Sequence, residues 1–239
     1  MKTNPEIVSP GAQDFDPAIV KEILDKFGRD DRYTKDARAN LTLAQLRAGL
    51  SPRENGVIER LMSLKPRELG FLGPFVSIED PPKDLVQLPK QVFHRDGEES
   101  AIKNQYLPRG VWQEFIKLKT AMKKDIGSDL MVESGYRSPA HQALVFLTYL
   151  EKFKFDIKYV ASGVALPGHS QHGDPVNTAM DVINQDGVPD DEQPHLFAKT
   201  KEYAWLLKNA EGFSFYQSYP ENNQWGVRFE PWHWQYRPE

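Results

Sequence analysis

The chain has 239 residues, of which 39% are hydrophobic and 27% charged, and its formal net charge is −4 at pH 7. This composition is typical of a globular protein with its own core and excludes a disordered chain. An acidic balance without a basic stripe argues against a nucleic-acid partner, and no apolar run reaches the ~18 residues of a transmembrane helix. Because there is no cysteine, a metal site would need His, Asp or Glu ligands.

The N-terminal third predicts a helical segment over residues 1–66. A helix beginning at Asp16-Pro17 would place Ile19, Ile23 and Phe27 on one side. Ser51 and Glu54 form a capping box for a later helix. The first residues lack the apolar centre of a signal peptide, so no export signal is predicted in this chain.

The next segment, residues 67–105, is rich in proline and glycine and predicts an irregular connection. A third segment, residues 106–239, predicts a mixed domain. A helix is expected from Val111, and another after the cap Ser138. Strands are expected at "DLMVES", "NTAMDVIN", "FSFYQ" and "WHWQYR". The predicted fold class is therefore α+β, a small antiparallel sheet with flanking helices, preceded by the helical extension.

Two strands carry residues that suit a metal site. Alternation in "WHWQYR" sends Trp232 and Trp234 to one face and His233 to the other, where it could meet Asp181 of a neighbouring strand. A turn at Pro231 would bring Glu230 to the side of His233. A hydrolytic zinc site needs three protein ligands and an open position, which His172, Asp181 and His233 would provide.

Spacing alone does not single out a metal site. A single histidine is more often a hydrogen-bonded or surface residue than a ligand, and a tryptophan-rich strand is usually core. In the N-terminal helices no residue pattern indicates a function.

Four motifs occur in a fixed order: "SGYRSPAHQ", "SQH", "TAMD" and "EPWH". This set resembles the VanY-type zinc D-alanyl-D-alanine carboxypeptidases and the related D-Ala-D-Ala dipeptidases and phage endolysins. The resemblance covers roughly residues 106–239. It departs from the family pattern in a longer segment between His172 and Asp181, where Asn177 replaces a glycine, and this makes His169 a rival for the first ligand position.

By position, the resemblance implies one zinc ion held by His172, Asp181 and His233, with Glu230 as the catalytic base. It also implies that Arg137 stabilises the oxyanion, and Arg137 directly precedes a helix N-terminus that favours negative charge. The remaining implied site residues are Gln142 and Ser170, which would bind the substrate.

The implied function is a zinc metallopeptidase that removes a C-terminal D-amino acid from peptidoglycan stem peptides by means of zinc-activated water. The same site could instead serve an endopeptidase or lysin, or an L,D-carboxypeptidase. A binding module that carries zinc without catalysis is the alternative from another class. The substrate would place the protein in the cell envelope, although the missing signal leaves a cytoplasmic location open. The sequence does not indicate an oligomeric state.

Overall fold

The computed structural model describes residues 15–28, 38–188 and 193–238. The N-terminal residues on which the signal-peptide prediction depends lie outside these ranges. Within them, helices and short antiparallel strands alternate irregularly, which confirms the α+β class.

The helices and strands follow the predicted pattern in the domain from residue 106 onward. The helices are α1 (Pro17–Phe27), α2 (Leu43–Ala48), α3 (Pro52–Met62), α4 (Arg109–Ile126), α5 (Pro139–Lys152), α6 (Ile157–Ala161), α7 (Pro194–Ala198) and α8 (Lys201–Asn209). The strands are β1 (Leu85–Gln87), β2 (Gln91–Arg95), β3 (Glu98–Ile102), β4 (Tyr106–Pro108), β5 (Leu130–Ser134), β6 (Ala179–Asn184), β7 (Phe215–Gln217) and β8 (His233–Tyr236).

The N-terminal helices pack on α5 rather than on the sheet. Ile23 and Leu24 of α1 and Ile58 of α3 are fully buried in one cluster with Leu144 and Phe146 of α5. The predicted capping box begins α3, since the Ser51 hydroxyl accepts from the Glu54 N–H and the Glu54 carboxylate accepts from the Ser51 N–H. This helical layer therefore supports the helix that follows the "SGYRS" motif.

The central sheet has four antiparallel strands in the order β5-β6-β8-β7. One face packs on α4 and α8 through a core that includes Phe115, Met180, Val182 and Trp234. Because side chains alternate along a strand, Asp181 and His233 lie on the opposite face. The pairing of β6 with β8 sets these two residues directly opposite each other.

Residues 67–105 contain β1, β2 and β3. Strands β2 and β3 form a hairpin whose two-residue turn, Asp96-Gly97, has positive φ at both positions, 54° and 83°, as a tight hairpin turn requires. Phe93 and Ile102 of this hairpin pack on Met131 and Ile183 of the central sheet. Among the described residues, no helix combines the length and apolar character needed to cross a membrane.

Candidate metal centre and active site

The three predicted metal ligands converge in the structure. Oδ1 of Asp181 is 2.9 Å from Nδ1 of His233, and Oδ2 of Asp181 is 3.2 Å from Nε2 of His172. One potential ligand atom from each residue lies within 4.8 Å of the other two. Both histidines are buried and Asp181 is nearly so.

His172 reaches this cluster from a short 3-10 turn, Gln171–Gly173, that faces the "SGYR" segment. Its Nδ1 lies 2.9 Å from the carbonyl oxygen of Gly135. A side chain at Gly135 would overlap the carbonyl oxygen of Tyr106, so only glycine allows the chain to pass here. The glycine of the motif thus lets its own backbone orient the first histidine.

Each imidazole ring has a hydrogen-bond partner on the side away from Asp181, and this partner fixes which ring nitrogen carries the proton. The Gly135 carbonyl can only accept, so Nδ1–H of His172 donates to it and Nε2 presents a lone pair to Asp181. On the other ring, Nε2 of His233 lies 3.0 Å from the side-chain oxygen of Gln171, which leaves Nδ1 as the lone pair that faces Asp181. Two imidazole lone pairs and a carboxylate thus face a common point, an arrangement that suits a bound cation. Histidine ligands of metals usually donate their other ring N–H to an oxygen acceptor, as both rings do here.

The electrostatic surroundings of His172 also favour a neutral ring. Burial, together with the nearby Arg137 charge, lowers the pKa of His172 from 6.5 to about 4, so this ring is neutral at pH 7. His172 therefore offers the neutral imidazole that binds a metal.

Glu230 lies beside the cluster without joining it. The chain turns at Pro231, and Oε2 of Glu230 comes within 3.9 Å of Nδ1 of His233. This is the predicted turn toward the histidine, and the role of Glu230 as the base stays a prediction.

Arg137, Gln142 and Ser170 all line the pocket that contains the cluster. The Arg137 backbone N–H donates to the carbonyl oxygen of His172. Gln142 donates from Nε2 to the Ala165 carbonyl oxygen at 2.7 Å. Their roles in binding substrate stay predictions, but their positions agree with those roles.

His169 turns away from the cluster. Its Nδ1 lies 3.0 Å from the carbonyl oxygen of Pro74, and its ring packs edge-on against Phe71 and Phe75. His172, not its rival, therefore lies at the first ligand position.

The longer segment between His172 and Asp181 closes on itself. Oδ1 of Asp174 accepts hydrogen bonds from the backbone N–H groups of Val176 and Asn177, and the Thr178 hydroxyl donates to the Asp174 carbonyl oxygen. Such a turn accommodates the extra residues outside the sheet, so β6 still presents Asp181 to His233.

Four further residues shape the pocket and were missed by sequence reasoning: Phe71, Gln171, Tyr219 and Arg228. The centroid of the Tyr219 ring lies 4.6 Å from that of the His233 ring. Burial is the main reason that the pKa of Tyr219 is raised, and the nearby Glu230 charge raises it further. Arg228 lies two residues before Glu230 in an irregular segment, so no periodic pattern in the sequence marked it. Phe71 comes from a segment remote from all four motifs.

Comparisons with known proteins agree with the geometry. A family model described as VanY, D-alanyl-D-alanine carboxypeptidase, matches residues 104–239. The bifunctional D-Ala-D-Ala dipeptidase and D-Ala-D-Ala carboxypeptidase VanXYC of Enterococcus gallinarum is 28% identical over 127 residues, which cover 52% of this chain and 62% of that protein. The match thus spans less than two thirds of the relative's length.

Two solved structures are also similar. One is a variant of the vancomycin resistance D,D-pentapeptidase VanY from a VanB-type resistance cassette, in complex with Zn(II). It is 24% identical to this chain, the match covers 70% of this chain and 86% of that chain, and the TM-score is 0.49. The other is VanYB in complex with D-alanine-D-alanine, with 24% identity, coverage of 68% and 84%, and a TM-score of 0.46.

The family match includes all the motif residues and extends over more than half of the chain. It confirms the resemblance drawn from the four motifs. The chain belongs to the VanY family of D-alanyl-D-alanine carboxypeptidases.

Proposed function

We propose that this chain is a zinc-dependent carboxypeptidase that removes a C-terminal D-alanine from peptidoglycan stem peptides. The observation that carries the proposal is the convergence of His172, Asp181 and His233 within 4.8 Å, with the Glu230 carboxylate 3.9 Å from His233. A substrate of this class also implies action in the cell envelope.

Each side chain has a distinct task in this proposal. His172, Asp181 and His233 would hold one zinc ion, which supplies a Lewis acid and lowers the pKa of water to about 7. Glu230 accepts the proton of the attacking water and passes it to the leaving amine. Arg137 donates to the oxygen of the scissile carbonyl as negative charge develops there.

Two aromatic side chains, Phe71 and Trp232, form part of the pocket wall and are almost fully buried. The segment that carries Phe71 is held in place by a backbone hydrogen bond, in which the Leu72 N–H donates to the Trp225 carbonyl oxygen at 2.8 Å.

Glu230 is the feature that favours an enzyme over a zinc-bearing module that only binds peptides. A binding module has no need for a carboxylate beside the metal ligands. Endopeptidase or L,D-carboxypeptidase action would use the same catalytic groups, so cleavage of matched substrates is the measurement that separates these activities.

The proposal is tested by metal analysis and by product release. Purified protein should contain about one zinc per chain, and the zinc-loaded protein should release D-alanine from a pentapeptide that ends in D-Ala-D-Ala. H233A should lose both the metal and the activity, whereas H94A, at an exposed histidine of the β2–β3 hairpin, should keep both.

Matched substrates decide between the related activities. A tetrapeptide ending in a single D-alanine after an L-centre tests L,D-cleavage, and a cross-linked dimer tests endopeptidase action. Zinc-loaded protein that releases nothing from any of the three would refute a peptidase function.

A further inference from the structure

The pocket extends from the metal cluster to a second guanidinium, that of Arg228. This side chain lies against the backbone of Gly163, where a methyl group would come within 2.6 Å of Nε and Cζ. The Arg228 backbone N–H donates to the Ser162 carbonyl oxygen at 3.2 Å, which ties the two segments together. Gly163 thus provides the room that the guanidinium occupies.

Glu230 separates Arg228 from the metal cluster. Its Oε1 lies 3.9 Å from Nε of Arg228, and its Oε2 lies 3.9 Å from Nδ1 of His233. The first distance allows an electrostatic attraction but is too long for a hydrogen bond. Arg228 is therefore near the reacting centre, yet the Glu230 carboxylate does not satisfy its Nε donor.

Several buried polar atoms of this pocket have no hydrogen-bond partner within the described ranges. In the part of the chain that the structure describes, Nε of Arg228, Nε of Arg137 and Oε1 of Gln142 are buried without a hydrogen-bond partner, and all three side chains line the pocket. An unsatisfied buried polar group costs about 1–3 kcal/mol. Three in one pocket indicate groups reserved for a polar ligand.

The charges of the pocket indicate the sign of that ligand. The formal charges of Arg137 and Arg228 balance those of Asp181 and Glu230, all four of which line the pocket. A bound divalent cation would leave the pocket positive by two charges. A substrate with one free carboxylate, whose scissile carbonyl becomes an oxyanion during the reaction, supplies two negative charges.

The two arginines lie at different places relative to the cluster. The Arg137 backbone N–H donates to the His172 carbonyl oxygen at 3.0 Å, so Arg137 lies on the side of the cluster where the scissile carbonyl would bind. Arg228 lies beyond Glu230, on Gly163. A guanidinium there presents a planar pair of donors, the geometry that matches a carboxylate.

We propose that Arg228 is a specificity-determining residue that binds the free C-terminal carboxylate of the substrate, in a position that Gly163 leaves open. The inference rests on the proposed function and deepens it, because a site that requires a terminal carboxylate cleaves only at a chain end. It predicts carboxypeptidase rather than endopeptidase action.

The test compares a D-Ala-D-Ala-terminated pentapeptide with the same peptide carrying a C-terminal amide. Both keep every side-chain carboxylate of the stem, so a difference between them reports on the terminal carboxylate alone. R228Q should lower kcat/KM for the free acid by about 10- to 100-fold and change the amide little. R228K keeps the charge but loses the planar donor pair, so its loss should be smaller.

Two further variants separate specificity from folding. G163A should displace the guanidinium and reproduce the loss of preference for the free acid, whereas G212A, with open space around it, should not. R237Q is the matched arginine control, because Arg237 packs over Tyr216 outside the pocket. An equal loss on acid and amide in R228Q, or no loss on either, would overturn the proposal.

Binding gives a readout independent of turnover. In calorimetry on the metal-free protein, which does not consume the peptide, wild-type protein should bind acetyl-D-Ala-D-Ala about tenfold or more tightly than its amide, and R228Q should remove this difference. If zinc-loaded protein cleaves neither peptide, the proposed function fails, but this ratio still decides the role of Arg228. Equal affinity of wild-type protein for acid and amide refutes that role.

Discussion

Gln171 should control zinc affinity although it does not belong to the predicted ligand set. Its side-chain oxygen lies 3.0 Å from Nε2 of His233, and both residues are buried. This contact keeps the proton on Nε2 and the lone pair on Nδ1. In Q171L the proton can move to Nδ1, where Asp181 accepts it at 2.9 Å, and the lone pair needed by the metal is lost.

The magnitude follows from the loss of one buried partner. A neutral hydrogen bond left unmade in the interior costs about 1–3 kcal/mol, and removal of the outer partner of a histidine ligand typically lowers metal affinity about 10- to 100-fold. We expect Q171L to raise the zinc Kd within that range. Competition against a chromophoric chelator at about pH 7.5 measures this Kd.

Q171E is the matched control, because it keeps an acceptor and adds a charge that makes the His233 ligand more basic. Its zinc Kd should equal or fall below that of wild-type protein. Thermal unfolding of the metal-free proteins shows whether the fold is intact. A folded Q171L that binds zinc with the wild-type Kd would refute the reasoning that Gln171 sets the tautomer of His233.

The remaining predictions concern the base and the helical extension. E230Q should keep its zinc, measured by metal analysis, but lose at least about 100-fold in kcat as proton transfer fails; retention of activity would exclude Glu230 as the base. Lys26 hydrogen-bonds the buried Glu54 and lowers its pKa from 4.5 to about 2, so this pair stabilises the fold above pH 4.5 and the effect disappears as the pH falls toward 2. E54Q should therefore lower the free energy of unfolding by about 1–2 kcal/mol at pH 7, a value discounted because Lys26 is half-exposed. The difference between E54Q and wild-type protein should shrink in acid. G56A should raise the free energy of unfolding, measured in urea, by about 0.5–1 kcal/mol. Gly56 is an exposed helix position, and no atom of the described residues lies within 4 Å of an added methyl group. A destabilised variant would contradict this prediction.

Local patterns determined much of the fold. The capping box at Ser51 and the cap at Ser138 fixed two helix starts, because a cap is a contact between residues three apart. Alternation placed His233 opposite the core face of its strand. The hairpin at Asp96-Gly97 had the same kind of signal, an Asp-Gly pair between strand-forming residues, and was missed within a proline-rich segment.

Four ordered motifs also predict His172, Asp181 and His233 as ligands and Glu230 as the base, and the structure brings these four side chains together. What only the tertiary structure decided is which other side chains share their pocket. Gln171 reaches His233 across 62 positions of sequence, and Arg228 meets Gly163 from a separate loop. Local sequence encodes backbone dihedrals and the side to which a residue points. Contacts between distant loops depend instead on how whole elements pack, and no short-range pattern records that packing.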